Sequence, residues 1–305
     1  MSTSAVEVNG SLIYILAVSS LLFILIVFLM VYLVARYRKS RNPVAEEVPD
    51  SRLMEAVWIV VPTLIVLTMF LYGLTGYDFL RKAPADALKV KVISRQWSWL
   101  FEYPNGKKSP DLVVPVGRNV RCDLTSADVI HGFYVPAYRI QMDAVPGLTT
   151  RVWFKATAPG THYILCTQYC GLKHTLMVAN LIAVPEAMFD AWLGGKNVRL
   201  EGTVALEDLS PGQRLLFEHG CVSCHSVDGG AMVGPTFKGL WGSPVQVKSA
   251  SGTSSVTADD GYIRRSILDP GAEVVKDFRN SMPSPNPPLT DAEIGEIVEY
   301  LKILK

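Results

Sequence analysis

Two long apolar runs near the N-terminus constrain this chain most, because an uncharged run of that length is stable in few environments other than a lipid bilayer. The first run covers residues 12–35 and the second covers residues 56–77, with Pro62 inside it. A membrane-spanning helix needs about 20 apolar residues, and it tolerates an internal proline. We therefore predict a transmembrane helical hairpin within residues 1–85.

A cleaved signal peptide is the alternative for the first run. The run is too long for that, no basic region precedes it, and no small-residue cleavage site follows it. Four basic residues lie in the short loop between the helices, Arg36, Arg38, Lys39 and Arg41, whereas residues 1–11 contain no lysine or arginine. The positive-inside rule then places this loop in the cytoplasm. We expect a multi-pass protein of the bacterial inner membrane, with everything from Asp78 onward on the periplasmic side.

The rest of the chain divides into two further domains. Residues 86–185 contain valine-rich alternating runs separated by turns such as Pro146-Gly147, which is typical of a small β-barrel or sandwich. Residues 186–209 read as a linker. Residues 210–305 begin and end with helix signals, the last being a capping box from Thr290 to Glu293, and we predict a mostly helical domain with a loop-rich middle.

A run of soft metal ligands follows the β-rich segment. Cys166, Cys170, His174 and Met177 have the spacing C-x3-C-x3-H-x2-M, and His131 lies upstream at a predicted strand end. Thiolates, imidazoles and a thioether are the ligands that copper prefers. A structural zinc site of the Cys2His2 type, with the methionine as core filler, is the alternative from spacing alone.

A second motif reads CVSCH, from Cys221 to His225. The pattern CxxCH is the attachment sequence for a c-type haem, with the histidine as an iron ligand. A zinc knuckle or a redox dithiol is the competing interpretation of a bare CxxC, and the adjacent histidine favours haem. The fifth cysteine, Cys122, lies among strand-like apolar residues and is predicted to be a small buried side chain.

Residues 10–185 resemble subunit II of cytochrome c oxidase, a family that carries the copper-A domain. The resemblance rests on Gln96-Trp97-Ser98-Trp99, on the segment 124–131, on Asp143-Ala144-Val145-Pro146-Gly147 and on the ligand run itself. It implies a cupredoxin-like β-barrel with a dinuclear copper centre (CuA). It also implies bridging thiolates, two histidine ligands and two weak axial ligands, one of them a backbone carbonyl: Cys166, Cys170, His131, His174, Met177 and Gln168.

Residues 206–305 resemble class I cytochrome c, an all-α fold, and include Val233-Gly234-Pro235 after the haem motif. The resemblance implies covalent attachment of the haem through Cys221 and Cys224, with His225 as one axial ligand. Met282 matches the position of the other axial ligand, and Met232 is the runner-up. Together the two resemblances indicate the branch of subunit II that has a fused cytochrome c domain, the caa type.

Three further positions take their interest from the resemblance. Many relatives have glutamate at the position of Gln168, where the carboxylate also binds magnesium, so a magnesium site is not predicted here. Trp97 matches a tryptophan that helps electrons enter the copper site, although a packed strand aromatic is an equally good interpretation. Glu55 matches a residue that serves proton uptake, but it could also simply favour the positive end of the helix dipole.

The histidine content limits what the chain does alone. It has five histidines, none of them in the apolar runs, whereas the resemblance implies six membrane-embedded histidines for oxygen reduction. The oxygen-reducing site must therefore lie on another chain. We predict the second subunit of a proton-pumping cytochrome c oxidase, in which electrons pass from haem c to CuA and on to the haem groups of subunit I.

The expected partners are oxidase subunit I, subunit III, membrane lipid and an upstream donor such as a soluble cytochrome c or a quinol-oxidising complex. The net charge of +1 argues against nucleic acid. A membrane-anchored carrier that serves a different reductase is the alternative function. A quinol oxidase subunit without metal is a second alternative, and the intact cysteine and histidine set weighs against it.

Overall fold

The computed structural model describes residues 2–44, 47, 49–195 and 205–305. Its contacts divide the chain into two compact units, one formed by residues 3–83 and the other by residues 84–305 together with the first two residues. Each unit has its own internal packing.

The first unit consists of two long helices, α1 (Thr3–Arg36) and α2 (Arg52–Arg81). Both helices extend beyond the apolar runs, because polar flanking residues continue the helical hydrogen bonding. Ser51 caps α2 by accepting a hydrogen bond from the Met54 N–H. Apolar side chains project outward along both helices, and their apolar length is sufficient to cross a membrane.

The second unit begins with ten β-strands that form two five-stranded sheets. The first sheet has the order β3-β2-β1-β5-β8 and the second has the order β4-β10-β9-β6-β7. Neighbouring strands are antiparallel except for the pairs β1–β5 and β4–β10. The strands are β1 Leu88–Arg95, β2 Ser98–Glu102, β3 Lys108–Ser109, β4 Leu112–Pro115, β5 Asn119–Ser126, β6 His131–Val135, β7 Ile140–Ala144, β8 Thr150–Lys155, β9 Gly160–Cys166 and β10 Val178–Val184.

The two sheets enclose a single apolar core. Strand β5 alternates half-buried and buried residues along its whole length, as expected for a strand with one face on a core. Aromatic side chains fill the centre, among them Phe101, Phe133 and Phe154, all fully buried. Cys122 is also fully buried in this core, as its sequence context predicts.

A helix follows directly on the last strand and belongs to the same core. Helix α3 (Glu186–Leu193) buries Phe189 and Trp192 among the β-domain side chains. The segment predicted as a linker, 186–209, thus begins with part of the β-domain. Residues 196–204 of that segment lie outside the described residues.

The remaining residues form the haem-motif domain, built around helices α4 (Pro211–Glu218), α5 (Asp260–Leu268) and α6 (Asp291–Ile303). Helices α4 and α6 cross closely, and a Cβ atom at Gly212 would lie 2.1 Å from the carbonyl oxygen of Glu296. The predicted capping box at Thr290 and Glu293 is present at the start of α6. A cap of this kind contributes about 1 kcal/mol.

The expectation of an all-α domain is wrong in one detail. Three short strands, β11 (Pro244–Ser249), β12 (Gly252–Thr257) and β13 (Val274–Val275), form an antiparallel sheet in the order β12-β11-β13. The strand β11 forms because buried and exposed residues alternate along it: Val245 and Val247 are buried in the domain core, while their neighbours are exposed. The rest of the architecture agrees with the prediction: two long N-terminal helices, a β-domain of two sheets and a mostly helical C-terminal domain.

Candidate functional site: a soft-ligand cage and a haem cavity

The predicted copper ligands come from one end of the second sheet. His131 begins β6 and Cys166 ends β9, and these two strands pair side by side. The loop that follows β9 returns through a single 3-10 turn, His174–Leu176, before β10 begins. Because the loop is short, it brings Cys170, His174 and Met177 back to the end of β9.

The side chains converge on one spot. The Sγ atoms of Cys166 and Cys170 are 3.7 Å apart, and the Nδ1 atom of His131 is 3.9 Å from the first of them. The Nδ1 atom of His174 lies 3.5 Å from the Cys170 Sγ, and the Met177 Sδ lies 3.9 Å from it. Both thiols, both imidazoles and the thioether thus line a single cage.

A backbone carbonyl completes the set. The oxygen of Gln168 lies 3.2 Å from the Cys166 Sγ. Met177 is almost fully buried, and its sulfur lies against the cage as well as in the core. A thioether at this place fits copper and adds nothing to a structural zinc site, so the donor set fits copper.

Outer hydrogen bonds hold the ligands in place. Asp128 accepts a hydrogen bond from the His131 Nε2, at 2.8 Å, which leaves Nδ1 free to face the cage. The Cys170 carbonyl oxygen accepts two side-chain hydrogen bonds, one from the Gln96 Nε2 at 2.7 Å and one from the Trp97 Nε1 at 3.2 Å. Orientation by such partners is a usual feature of metal ligands in proteins.

The pKa values of the two cysteine thiols are shifted in opposite directions. Burial opposes ionisation of Cys166, but hydrogen bonds from His131 and from the backbone at Gly132 and Gln168 outweigh it and lower the pKa of that thiol to about 6. Burial and the neighbouring Cys166 thiolate raise the pKa of Cys170 to about 12. Metal binding must therefore displace a proton from Cys170, since only the thiolate is a good ligand.

The side chain of Gln168 points away from the cage. Its Nε2 atom donates to both carboxylate oxygens of Asp143, at 3.1 and 3.0 Å. The side-chain amide of Gln168 is therefore hydrogen-bonded to a carboxylate of this same chain.

The second site is a cavity in the haem-motif domain. Cys221, Cys224, His225 and Met282 all line it. Most of its other lining side chains are apolar, including Leu216, Tyr262 and Ile263 from the domain core. An apolar cleft with two thiols, an imidazole and a thioether fits a covalently attached haem.

The histidine of the CVSCH motif is firmly held. Its Nδ1 atom is 2.7 Å from the Pro235 carbonyl oxygen, so Nδ1 carries the proton and Nε2 keeps its lone pair for a metal. The ring stacks on Phe237 with the ring centroids 4.5 Å apart. Burial lowers the pKa of His225, which favours the neutral form that ligates iron.

Among the described residues that line the cavity, one is a methionine, Met282. Met232 does not line the cavity. The assignment of Met282 as the second axial ligand stays a prediction, and its place in the cavity wall is consistent with it. Leu289, just before the start of α6, packs into the same domain core and also lines the cavity, as Met282 does.

The β-domain and the haem-motif domain meet directly, and we call their contact region the seam. The ammonium of Lys173 donates to the Ser223 carbonyl oxygen inside the CVSCH motif. Asn286, four residues after Met282, donates through Nδ2 to the Ala127 carbonyl oxygen at 2.8 Å. Two ion pairs, Lys107–Glu207 and Lys108–Glu218, each with a shortest distance of 2.6 Å, lie at the seam as well.

Sequence reasoning missed the β-domain residues that form part of the haem cavity wall. Arg95, Gln96, Ala127 and Asp128 all line the cavity. Arg95 is buried, its side chain lies against Gly220, and burial lowers its pKa. A buried arginine at the end of a strand has no distinctive local pattern, so only the docked arrangement reveals it.

The two other predicted residues lie in different places. Trp97 is 9% exposed and packs in the β-domain core beside the copper cage. Among the described residues, Trp97 is not one of those that line the haem cavity. Glu55 lies in the first turn of α2, close to its Ser51 cap, and is exposed there.

Two membrane-length helices, a cage of soft ligands and a CxxCH cavity define a class of protein, the membrane-anchored redox subunit with two metal centres. Comparison with known families narrows the class. Residues 1–75 match the transmembrane domain of cytochrome c oxidase subunit II, residues 107–184 match its periplasmic domain, and residues 209–305 match cytochrome c.

Individual relatives agree with these matches. Cytochrome c oxidase subunit 2 of Alkalihalophilus pseudofirmus is 30% identical over 309 residues, covering 94% of this chain and 84% of the relative. The protein of the same description from Cereibacter sphaeroides is 28% identical and covers 59% of this chain and 73% of the relative. The chain belongs to the cytochrome c oxidase subunit 2 family and has a cytochrome c domain fused to it.

Solved structures include a partial match. The periplasmic domain of cytochrome oxidase subunit II from Bradyrhizobium japonicum is 34% identical, with a TM-score of 0.36, and the match covers 37% of this chain and 95% of that one.

Proposed function

We propose that the chain accepts electrons at a haem c held by Cys221, Cys224, His225 and Met282. We propose that it passes them to a dinuclear copper centre held by the cage around Cys166 and Cys170. Subunit I of the oxidase would take the electrons next and reduce oxygen to water. The observation that carries this proposal is the seam, where the cage and the haem cavity share a wall within one compact unit.

The residues of the cage suit rapid electron transfer. Strand ends position the six donor groups, His131 donates a hydrogen bond to Asp128, and the Cys170 carbonyl accepts hydrogen bonds from Gln96 and Trp97. The cage would therefore change shape little when the charge of bound copper changes. Bound copper and haem would supply the redox chemistry itself. His131, His174, Met177 and the Gln168 carbonyl would hold the copper together with the two thiolates.

The exposed surface beside the cage is suited to binding a partner protein. Tyr169, Leu172 and Leu176 lie in the ligand loop and are 82%, 65% and 69% exposed. Large apolar side chains clustered around a functional loop mark an interaction surface. Oxidase subunit I is the partner we propose for it, with subunit III as a further neighbour, in the inner membrane of a bacterium with both metal domains on the periplasmic side.

The fused donor gives the first test. An intramolecular donor on a short tether reaches an effective concentration on the order of millimolar. The assembled oxidase should therefore oxidise a small artificial donor, such as ascorbate with a phenylenediamine mediator, without added soluble cytochrome c. Oxygen consumption measures this, and electron paramagnetic resonance of the same sample should report a mixed-valence copper pair and a low-spin haem.

A strict need for added cytochrome c would contradict the role of the fused domain. Full electron transfer in a preparation that lacks any histidine-rich membrane subunit would instead favour the alternative, a membrane-anchored carrier for another reductase. The haem-motif domain has 13 acidic and 9 basic residues over positions 206–305. That mild excess suits a basic soluble donor, although a quinol-oxidising membrane complex fits equally well.

Proton uptake adds a further proposal for Glu55. The residue is an ionisable group at the end of a membrane helix, where such groups are functional candidates. Glu55→Gln keeps the size and removes the charge. We expect slower turnover of the assembled oxidase with both metal centres still fully loaded, measured by oxygen consumption. Unchanged turnover would remove the proton-uptake role and leave the helix-dipole interpretation.

A further inference from the structure

The wall shared by the haem cavity and the copper cage contains one residue that contacts both sites. Gln96 lines the haem cavity, and its Nε2 atom donates to the carbonyl oxygen of Cys170 at 2.7 Å. Cys170 is the central member of the cage, since its Sγ lies within 4 Å of three other predicted ligand atoms. A single side chain therefore spans from the haem cavity to a copper ligand.

Asp128 holds the backbone of Gln96 in place. It lines the same cavity, accepts a hydrogen bond from the Gln96 backbone N–H through Oδ2 at 2.7 Å, and contacts the His131 Nε2 through Oδ1 at 2.8 Å. The carboxylate therefore holds Gln96 and a copper ligand at the same time. Its role is that of a positioning residue.

Trp97, the candidate from the resemblance, lies less directly between the two sites. Its Nε1 atom also donates to the Cys170 carbonyl oxygen, at the longer distance of 3.2 Å. Its ring packs in the β-domain core, and within the described residues it forms no part of the cavity wall. Trp97 therefore has the contact with the cage but not the contact with the haem cavity.

The seam keeps both halves of the haem site next to this bridge. Lys173, beside the ligand His174, donates to the Ser223 carbonyl oxygen between the two haem-attachment cysteines. Asn286, on the segment that bears Met282, donates to the carbonyl of Ala127, the neighbour of Asp128. Each side of the haem site is thus hydrogen-bonded to a residue adjacent to the copper site.

We propose that Gln96, held by Asp128, is the residue that couples the fused haem to the copper centre in internal electron transfer. This inference rests on the proposed function and specifies its route. With both groups bound, a ferrous haem held at Cys221 and Cys224 would give up one electron and become ferric, and oxidised copper held by Cys166 and Cys170 would accept that electron. No covalent bond changes and no proton moves.

The test uses the purified full chain in detergent with both centres loaded. A photoreductant injects one electron into the haem, and absorption then follows oxidation of the haem and reduction of the copper centre. Gln96→Met keeps the length of the side chain and removes its donor. We expect transfer to slow by about tenfold, the lower end of the effect of losing an outer partner of a metal ligand.

The matched control is Gln141→Met. Gln141 also donates an amide hydrogen bond beside a copper ligand, to the Thr167 Oγ1 at 3.0 Å, but it does not line the haem cavity. Transfer in this control should stay within twofold of the unmodified chain. The copper resonance spectrum and the haem midpoint potential, measured in both variants, should match those of the unmodified chain, since neither replacement removes a ligand.

The outcomes separate the alternatives. An unaltered rate in Gln96→Met, or a slower rate in Trp97→Phe than in Gln96→Met, overturns the proposal. If Gln96→Met fails to load copper, Gln96→Asn is the second variant, because it keeps the amide one methylene short, and it should also slow transfer. Absence of any haem-to-copper transfer in the unmodified chain would refute the proposed function itself rather than the choice of bridge.

Discussion

Replacing Cys170 with alanine should lower the copper affinity of the chain by more than about 100-fold, beyond the roughly 10–100-fold typical for losing an outer partner of a ligand. The thiol lies at the centre of the cage, within 4 Å of the sulfurs of Cys166 and Met177 and of the His174 Nδ1. Its loss removes a thiolate ligand that any copper ion bound there would use. Copper per chain, measured by plasma emission, should fall toward zero.

The same variant should keep its haem, because Cys170 takes no part in the haem cavity wall. A mediator should then reduce the haem, and the electron should remain there. Cys122→Ala is the matched control, since it removes a fully buried thiol from the same domain at a position away from the cage. Two coppers per chain in Cys170→Ala, or copper loss in Cys122→Ala, would contradict the assignment of the cage.

Removing both haem-attachment cysteines should unfold the C-terminal domain selectively. The cavity is lined by Leu216, Tyr262 and Ile297, which also form the core of that domain. With Cys221→Ala and Cys224→Ala the haem is no longer anchored, and the core surrounds an empty apolar space. We expect the domain to lose about 5 kcal/mol or more, comparable with the total stability of a small domain.

Limited proteolysis with mass spectrometry measures this effect. Cuts should appear within residues 205–305, while the β-domain, residues 88–184, stays resistant because its core is separate. Ser223→Ala is the control, because it changes a side chain inside the motif but keeps both cysteines and the carbonyl that accepts from Lys173. A haem-free variant that resists protease as well as the unmodified chain would show that the domain folds without its haem.

The sequence predicts the fold class well where the signals are local. The apolar runs indicate both long helices, because length and lack of charge determine that outcome in a bilayer. The helix ends are less well predicted, since flanking residues such as Glu7 and Arg52 continue a helix without being apolar. The strands β11 and β12 were missed, although Val245 and Val247 alternate with polar residues in the way that indicates a half-buried strand.

The candidate site divides in the same way. The ligand spacing within residues 166–177 is enough to predict a cage, because a short loop between paired strands has little freedom. The contact between the two domains has no such local signal. Gln96 lies next to the tryptophan that drew attention in the sequence, and its importance depends on a cavity built by residues more than 100 positions further along the chain.

The hydrogen bonds across the seam have a consequence for how the chain would work in a cell. The two domains lie on one chain and are already in contact, so they are always made in equal numbers. Under the proposed function, electron transfer between the two domains would be a first-order process. Its rate should therefore change little with ionic strength. Raising the ionic strength slows reactions between two oppositely charged proteins that must first meet by diffusion.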